Sequence, residues 1–121
     1  MNIDTPELTA AQTERLAILA EECAETIQMV NKILRFGWES VHPFSKDQRT
    51  NRERLSDELR DVLTATLLLI ENKDIRRESL EWGPQYVKRL MMSEFVSYQS
   101  DHSPKDVQVE FSFRDLTKSS A

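Results

Sequence analysis

Two pairs of acidic residues have a spacing that could hold a divalent cation. Glu22 and Glu25 are three positions apart, and Glu58 and Asp61 repeat this separation further along the chain. Residues three apart share one face of a helix, so each pair brings two negative charges together at a cost of roughly 0.2–0.5 kcal/mol. A bound cation would compensate for this repulsion. A solvated helix face, which tolerates such pairs, is the other interpretation of the same spacing.

The apolar residues around the first pair favour partial burial of its carboxylates. Ile18 and Met29 lie on the same face as Glu22 and Glu25, whereas most apolar residues of this segment lie on the opposite side. A buried carboxylate is costly unless it is paired or binds a metal. If two antiparallel helices bring the four carboxylates together, their hard oxygen donors favour Mg²⁺, or Mn²⁺ as a substitute, over zinc or copper.

Basic residues follow the first acidic pair. Lys32 lies on the face of Glu25 two turns further on, and Arg35 follows near the predicted end of the helix. Both cations could contact phosphate oxygens that project from a bound metal. They could equally complement the negative end of the helix dipole.

Three further residues could contact a substrate. Asn51 lies seven positions before Glu58, so it shares that face and could form a hydrogen bond with a ligand, or it could belong to the helix cap. Trp38 follows Gly37 and could stack on a nucleobase or pack into the core. His42 lies in the following loop, where it could reach a ligand or remain at the surface.

A first helix is predicted to begin near Thr9 and to run to about Arg35. Thr9 has N-cap chemistry, and Gln12 three positions later completes a capping box. Gly37 supplies the stop signal. The main apolar stripe at helical spacing predicts the buried face, and it comprises Leu16, Leu19, Ala20, Cys23, Ile27, Val30 and Leu34. Cys23 is therefore predicted to be a small core residue.

A second helix is predicted from Thr50 to about Asn72, since Thr50 and Glu53 form another capping-box pattern. Residues 36–49 are predicted to form the connecting loop, and loops of this length inside a compact domain are often functional. Two antiparallel helices joined by a loop form a helical hairpin.

The predicted fold class is all-α: an antiparallel helical hairpin plus a third helix, in a single domain of residues 1–100. A short helix is expected over residues 75–82 and the third helix over residues 84–98. The C-terminal tail, residues 101–121, alternates apolar and polar residues and is predicted to be either a short strand or disordered. Because so few helices cannot easily close a core, and the first helix is apolar on two sides, a partner surface is expected.

Composition excludes several classes of function. The 121 residues include two glycines, Gly37 and Gly83, so neither a P-loop nor a dinucleotide-binding fingerprint can be written. A single cysteine excludes an internal disulfide and a cysteine-based zinc site. The net charge of −5 argues against nucleic acid and anionic membranes as partners. Without a leader pattern or a long apolar run, a soluble, cytoplasmic protein is expected.

Three segments in this order resemble the motifs of a known superfamily. Leu16–Gln28 contains the pattern EExxE, Lys32–Gly37 reads KILRFG, and Asn51–Leu63 contains the pattern ExxD. These patterns resemble the MazG-like all-α nucleoside triphosphate pyrophosphohydrolases, in particular their compact, phage-type members. The resemblance covers about residues 14–70.

The resemblance implies an enzyme that uses Mg²⁺ to hydrolyse a (d)NTP between its α- and β-phosphates, releasing (d)NMP and pyrophosphate. The implied metal ligands are Glu22, Glu25, Glu58 and Asp61. Glu21 would assist, either as a ligand through water or by orienting the nucleophile. The implied substrate contacts are Lys32 and Arg35 for phosphate and Asn51 for another part of the nucleotide.

The same resemblance implies assembly into a homodimer or homotetramer of four-helix-bundle type. Arg60 departs from the pattern, since many members have glycine there, and this bears on helix packing more than on the chemistry. Two alternatives remain open. One is phosphoribosyl-ATP pyrophosphohydrolase, which shares the superfamily. The other is a non-enzymatic helical oligomer that acts as an adaptor or regulator and leaves its carboxylates exposed.

Overall fold

The computed structural model of the chain describes residues 7–80 together with Tyr86 and Arg89. Helix α1 spans Ala10–Phe36 and helix α2 spans Asn51–Glu71. The described part of the chain contains no β-strand, so the prediction of a helical fold class is confirmed there. None of its helices combines the length and hydropathy that a membrane span requires.

Both long helices begin with the capping boxes that the sequence predicts. The Thr9 hydroxyl accepts the Gln12 N–H at 3.1 Å, and the Gln12 side chain accepts the Thr9 N–H at 2.9 Å. Thr50 and Glu53 make the same reciprocal pair at the start of α2, with both distances 3.2 Å. Each box satisfies two backbone donors that a helix otherwise leaves without partners.

Contacts at both ends show that α1 and α2 pack as an antiparallel pair. Near the start of α1, Arg15 binds Asp74, just beyond the end of α2, at 2.6 and 3.1 Å. At the opposite end, the Asn51 side chain donates to the Gly37 carbonyl at 3.0 Å. The hairpin is therefore fastened by polar contacts at its open end and at its loop end.

The interface between α1 and α2 follows alternating steps of three and four residues, as in helices that pack at a small angle. Buried or half-buried side chains at this spacing are Gln12, Arg15, Leu19, Glu22, Thr26, Met29 and Ile33 on α1, and Asn51, Leu55, Glu58, Val62, Ala65 and Leu69 on α2. Met29, Ala65 and Leu69 are at most 4% exposed and form its apolar core. Glu22 and Glu58 belong to the same interface.

The predicted buried face of α1 is wrong for the chain on its own. Large apolar residues of that stripe are 40–77% exposed, namely Leu16, Ile27, Val30 and Leu34. Cys23, predicted to be a core residue, is exposed as well. Helix α2 packs instead against the face of Glu22 and Met29. Because α1 is apolar on two faces, residue spacing does not decide which of them a neighbouring helix covers.

The loop between the helices is held close to the start of α2. Gly37 ends α1 with a φ of 87°, a conformation that glycine adopts without the strain a side chain would add. The Asn51 N–H donates to the Ser40 carbonyl at 2.9 Å, and an isolated antiparallel bridge pairs Val41 with Thr50. The predicted loop is thus an ordered connection.

A boundary between two compact units falls between Asp74 and Ile75. Beyond it, the described residues form a 3₁₀ helix over Arg77–Leu80, inside the range predicted for a short helix, and Tyr86 and Arg89 are helical. The rest of the predicted third helix and the predicted C-terminal tail lie outside the described residues.

Candidate functional site

Three of the predicted acidic residues converge between the two helices. One carboxylate oxygen from each of Glu22, Glu58 and Asp61 lies within 4.8 Å of the other two. Helix α1 supplies the first of these groups and α2 supplies the other two. Glu22 and Glu58 are half-buried in the helix interface, whereas Asp61 is exposed at its edge. We call these three residues the carboxylate cluster.

Burial and mutual repulsion raise two pKa values in the carboxylate cluster. Loss of solvation raises the pKa of Glu22, and the charges of Glu25 and Asp61 raise it further. Loss of solvation also raises the pKa of Glu58, and Glu25 adds to this through its charge and a side-chain hydrogen bond. Glu25, the fourth predicted ligand, is not one of the three converging residues, but its charge acts on both Glu22 and Glu58.

The cluster contains acceptor atoms that the protein leaves unsatisfied. The Oε2 atoms of Glu22 and Glu58 are buried and have no hydrogen-bond partner among the described residues. Within the same part of the chain, no Arg, Lys or His side chain forms an ion pair with either residue, or with Glu25 or Asp61. Buried, unpaired carboxylate oxygens are a costly arrangement that a hard divalent cation would compensate. The donor set therefore fits Mg²⁺.

Glu21 is placed differently from the other predicted acidic residues. It is exposed and does not belong to the carboxylate cluster, although its charge contributes to the raised pKa of Glu22. The structure thus separates the first residue of the EExxE pattern from the groups that converge.

A cleft of about 690 Å³ lies at the loop end of the hairpin. It is bounded by the end of α1, the loop and the first turn of α2, through Lys32, Phe36, Ser40, Val41, His42, Pro43, Phe44, Ser45, Asn51 and Arg54. Three of the residues predicted to contact a substrate, Lys32, His42 and Asn51, line this cleft. Arg54 lies one helical turn before Glu58, so the cleft adjoins the carboxylate cluster along α2.

The other two predicted substrate contacts lie outside the cleft. Arg35 places its guanidinium over the ring of Phe36, at 5.3 Å from the ring centre. Trp38 is covered in the same manner by Arg52, at 4.7 Å. Both pairs are exposed, where such cation–π contacts stabilise by about 0.5–1 kcal/mol.

Asn51 has a structural role in addition to its place in the cleft. It is 7% exposed, its side chain donates to the Gly37 carbonyl, and its backbone N–H donates to the Ser40 carbonyl. These two bonds join the end of α1 and the loop to the start of α2. The alternative that Asn51 belongs to the helix cap is wrong, because Thr50 is the N-cap and Asn51 is the first residue of α2.

The sequence analysis missed Arg54. Its Nη2 donates to Asp47 Oδ1 at 2.6 Å and to Ser45 Oγ at 2.8 Å, so it fastens the loop to the first turn of α2. Its position one turn before Glu58 was a signal in the sequence. Its contact with Asp47 could not be predicted, because residue spacing does not show which acidic residue of a 14-residue loop lies next to α2.

Comparisons with protein-family models, curated proteins and solved structures find no match to this chain.

Proposed function

We propose that this protein is a Mg²⁺-dependent nucleoside triphosphate pyrophosphohydrolase that converts a (d)NTP into (d)NMP and pyrophosphate. The observation that carries the proposal is the carboxylate cluster, in which two helices bring three acidic side chains within 4.8 Å of one another and leave two buried oxygens without partners. The sequence resemblance supports the same reaction, because it assigns the metal to these positions.

The acidic residues divide the work in this proposal. Glu22, Glu58 and Asp61 would hold the cation. When bound, Mg²⁺ neutralises charge on the phosphoryl oxygens and lowers the pKa of water. Glu25 raises the pKa of Glu58 and would accept the proton of the attacking water at its own carboxylate oxygen. Glu21 is exposed beside them and would orient that water.

The reaction balances without a further reactant. The water oxygen forms a bond to phosphorus, the bridging P–O bond between the α- and β-phosphates breaks, and pyrophosphate leaves. Lys32, which lines the cleft, would bind the leaving phosphates. In this scheme Asn51 orders the wall of the cleft, whereas Arg35 and Trp38 would reach a nucleotide only outside it. The protein mainly supplies position and charge.

The exposed apolar face of α1 supports an oligomer as part of the proposal. Leu16, Ile27, Val30 and Leu34 form a stripe that α2 does not cover. A homodimer or homotetramer of four-helix-bundle type would bury such a stripe. The same face favours the second candidate function, a non-enzymatic helical adaptor or regulator. It does not explain the unsatisfied buried carboxylates, so we place the enzyme first.

A nucleotide panel tests the proposal. The full chain is incubated with Mg²⁺ and each NTP, dNTP and phosphoribosyl-ATP in turn, and products are resolved by ion-exchange chromatography. Monophosphate plus pyrophosphate is expected from one or more nucleotides, with Mn²⁺ substituting for Mg²⁺. Turnover should be lost in EDTA and in Glu25→Gln, and retained in Glu14→Gln, which removes an exposed carboxylate from the same helix.

The remaining outcomes of this panel decide against the proposal. Diphosphate plus phosphate would mean cleavage at a different bond. Turnover of phosphoribosyl-ATP alone would assign the related reaction in place of (d)NTP hydrolysis. No turnover by a folded oligomer, together with no thermal stabilisation by Mg²⁺ and nucleotide, would favour the adaptor.

A further inference from the structure

Positive charge in the cleft is concentrated on two side chains from opposite helices. Lys32 reaches the cleft from the last turns of α1, and Arg54 reaches it from the first turn of α2. No carboxylate lies among the described residues that line the cleft. The lining is therefore more basic than the chain as a whole, which has a net charge of −5. An anion is the ligand that such a lining attracts.

Arg54 uses only part of its hydrogen-bonding capacity. Asp47 and Ser45 both accept from Nη2, so these two contacts fix the guanidinium without engaging its other nitrogens. The Arg54 Nε–H is buried and has no hydrogen-bond partner among the described residues. A guanidinium carries five N–H donors in a planar fork that suits phosphate oxygens. The loop therefore fixes the orientation of Arg54, and a ligand would contact its Nη groups, because Nε is buried.

Asp47 occupies the position of a competing anion. Its Oδ1 accepts from Arg54 Nη2 at 2.6 Å, from Ser45 Oγ at 2.5 Å and from the Arg49 backbone N–H at 3.3 Å. The hydroxyl of Ser45 and the nearby cations lower the pKa of Asp47, so it is ionised at neutral pH. A phosphate that binds Arg54 must displace or share this carboxylate.

We propose that the cleft binds the pyrophosphate portion of a phosphorylated ligand, and that Arg54 recognises it by exchanging its contact with Asp47 for phosphate oxygens. Lys32 contributes a second charge from the facing helix. The inference rests on the proposed function in one respect, since the phosphorylated ligand is taken to be the nucleotide substrate. It extends that function by naming a binding residue on α2 and an internal competitor on the loop.

The test measures binding of inorganic pyrophosphate to the full chain by isothermal titration calorimetry in EDTA, so that neither a metal nor turnover contributes. Arg54→Gln should weaken binding about tenfold or more, because a charge-assisted contact to phosphate is lost. Arg52→Gln is the matched control. It removes the same charge two positions away, outside the cleft, and should change the affinity by less than about twofold.

A second variant keeps the test decisive if Arg54→Gln unfolds the loop. Asp47→Asn retains the Oδ1 acceptor that Ser45 and Arg49 use, but removes the charge that competes for Arg54. It should tighten pyrophosphate binding about threefold or more, and misfolding does not produce such a gain. The proposal is overturned if Asp47→Asn weakens binding, if Arg54→Gln matches Arg52→Gln, or if the wild-type chain binds no pyrophosphate at millimolar concentration.

A parallel assay with Mg²⁺ and nucleotides separates this inference from the proposed function. Turnover whose KM is unchanged in Arg54→Gln would overturn the inference and leave the function standing. Pyrophosphate binding that depends on Arg54, without turnover of any nucleotide, would support the anion site and overturn the function.

Discussion

The ends and the middle of the helical hairpin use charged side chains in opposite ways. At the open end, Arg15 and Asp74 form a two-bonded ion pair whose side chains are 17% and 14% exposed. At the loop end, Asp47 is paired with Arg54. In the middle, Glu22 and Glu58 face each other with no cation among the described residues beside them.

This difference separates charges that the protein pairs internally from charges that it leaves without a basic partner among the described residues. A buried group with a partner stabilises the structure or costs it little, whereas a buried group without one carries the full penalty of lost solvation. At the ends the sequence supplies its own counterions. In the middle, Glu22 and Glu58 have no basic partner among the described residues, and loss of solvation raises the pKa of both. Substitutions in each region test this contrast, beginning with the one expected to have the greatest effect.

The largest effect is expected from Glu58→Gln. Removing one proposed metal ligand from the middle should lower Mg²⁺-dependent turnover about 100-fold or more. Even residues that only hydrogen-bond to metal ligands typically change metal affinity or activity by about 10- to 100-fold when mutated. Glu71→Gln, an exposed carboxylate on the same helix, is the control and should leave kcat/KM unchanged. Equal turnover in the two variants would remove the cluster from the mechanism. The measurement is initial rate against nucleotide concentration.

The open end should respond in stability rather than activity. Asp74→Asn leaves the Arg15 guanidinium without its counterion in a largely buried position, so we expect Tm to fall by roughly 8 °C. Glu39→Gln breaks the exposed pair with Arg52, where both side chains are more than half exposed, and should change Tm by less than about 3 °C. Thermal unfolding by circular dichroism measures both. Similar shifts in the two variants would contradict the distinction.

The two capping boxes provide a reference for the ion pairs, because substituting their threonines removes a hydrogen bond without changing the charge. Thr50→Ala removes the hydroxyl that accepts the Glu53 N–H and should cost about 1 kcal/mol of unfolding free energy. Thr9→Ala should cost about the same, because the Thr9–Gln12 box has the same geometry. Thr64→Ala, an exposed helix-interior position, is the control, with an expected change within about 0.5 kcal/mol. Urea denaturation measures all three. A much larger loss at Thr50 would mean that the loop depends on this cap.

The smallest expected effect is the change in Tm caused by Glu22→Gln, and its direction distinguishes the middle of the hairpin from its ends. The pKa of Glu22 is raised above 4.5, so the folded chain binds this proton more tightly than the unfolded chain. Its contribution to stability is present below pH 4.5 and is lost as pH rises through the raised pKa. In EDTA, Glu22→Gln should therefore raise Tm by about 2 °C at pH 7, and the gain should shrink towards pH 4.5.

The end pair has the opposite pH dependence. The pKa of Asp74 is lowered below 3.8 by the hydrogen bond from Arg15, so its contribution to stability is present above pH 3.8 and is lost as pH falls through the lowered pKa.

Glu14→Gln, at an exposed position, serves as the control for Glu22→Gln. A Tm that falls in Glu22→Gln at pH 7 in EDTA would show that the middle is not under electrostatic repulsion.

Local signals in the sequence were sufficient for the helices but not for their packing. Thr9, Gln12, Thr50 and Glu53 determine where α1 and α2 begin, because a capping box involves only four consecutive residues. The buried face of α1 was predicted wrongly because both of its faces carry apolar residues, and the choice depends on where α2 lies. Trp38 shows the same limit, since its neighbour Arg52 comes from the other helix.

The residues of the candidate site show the same distinction between local helix spacing and tertiary packing. The spacing along the chain places Glu22 and Glu25 on one helix face and Glu58 and Asp61 on another, since an α-helix has 3.6 residues per turn. The packing of the two helices and the loop then brings Glu22, Glu58 and Asp61 together, leaves Glu21 exposed, and makes Arg54 and Lys32 line one cleft. Periodicity is a property of one helix, whereas these distances depend on the register between two helices and on a loop whose partners are distant in the chain.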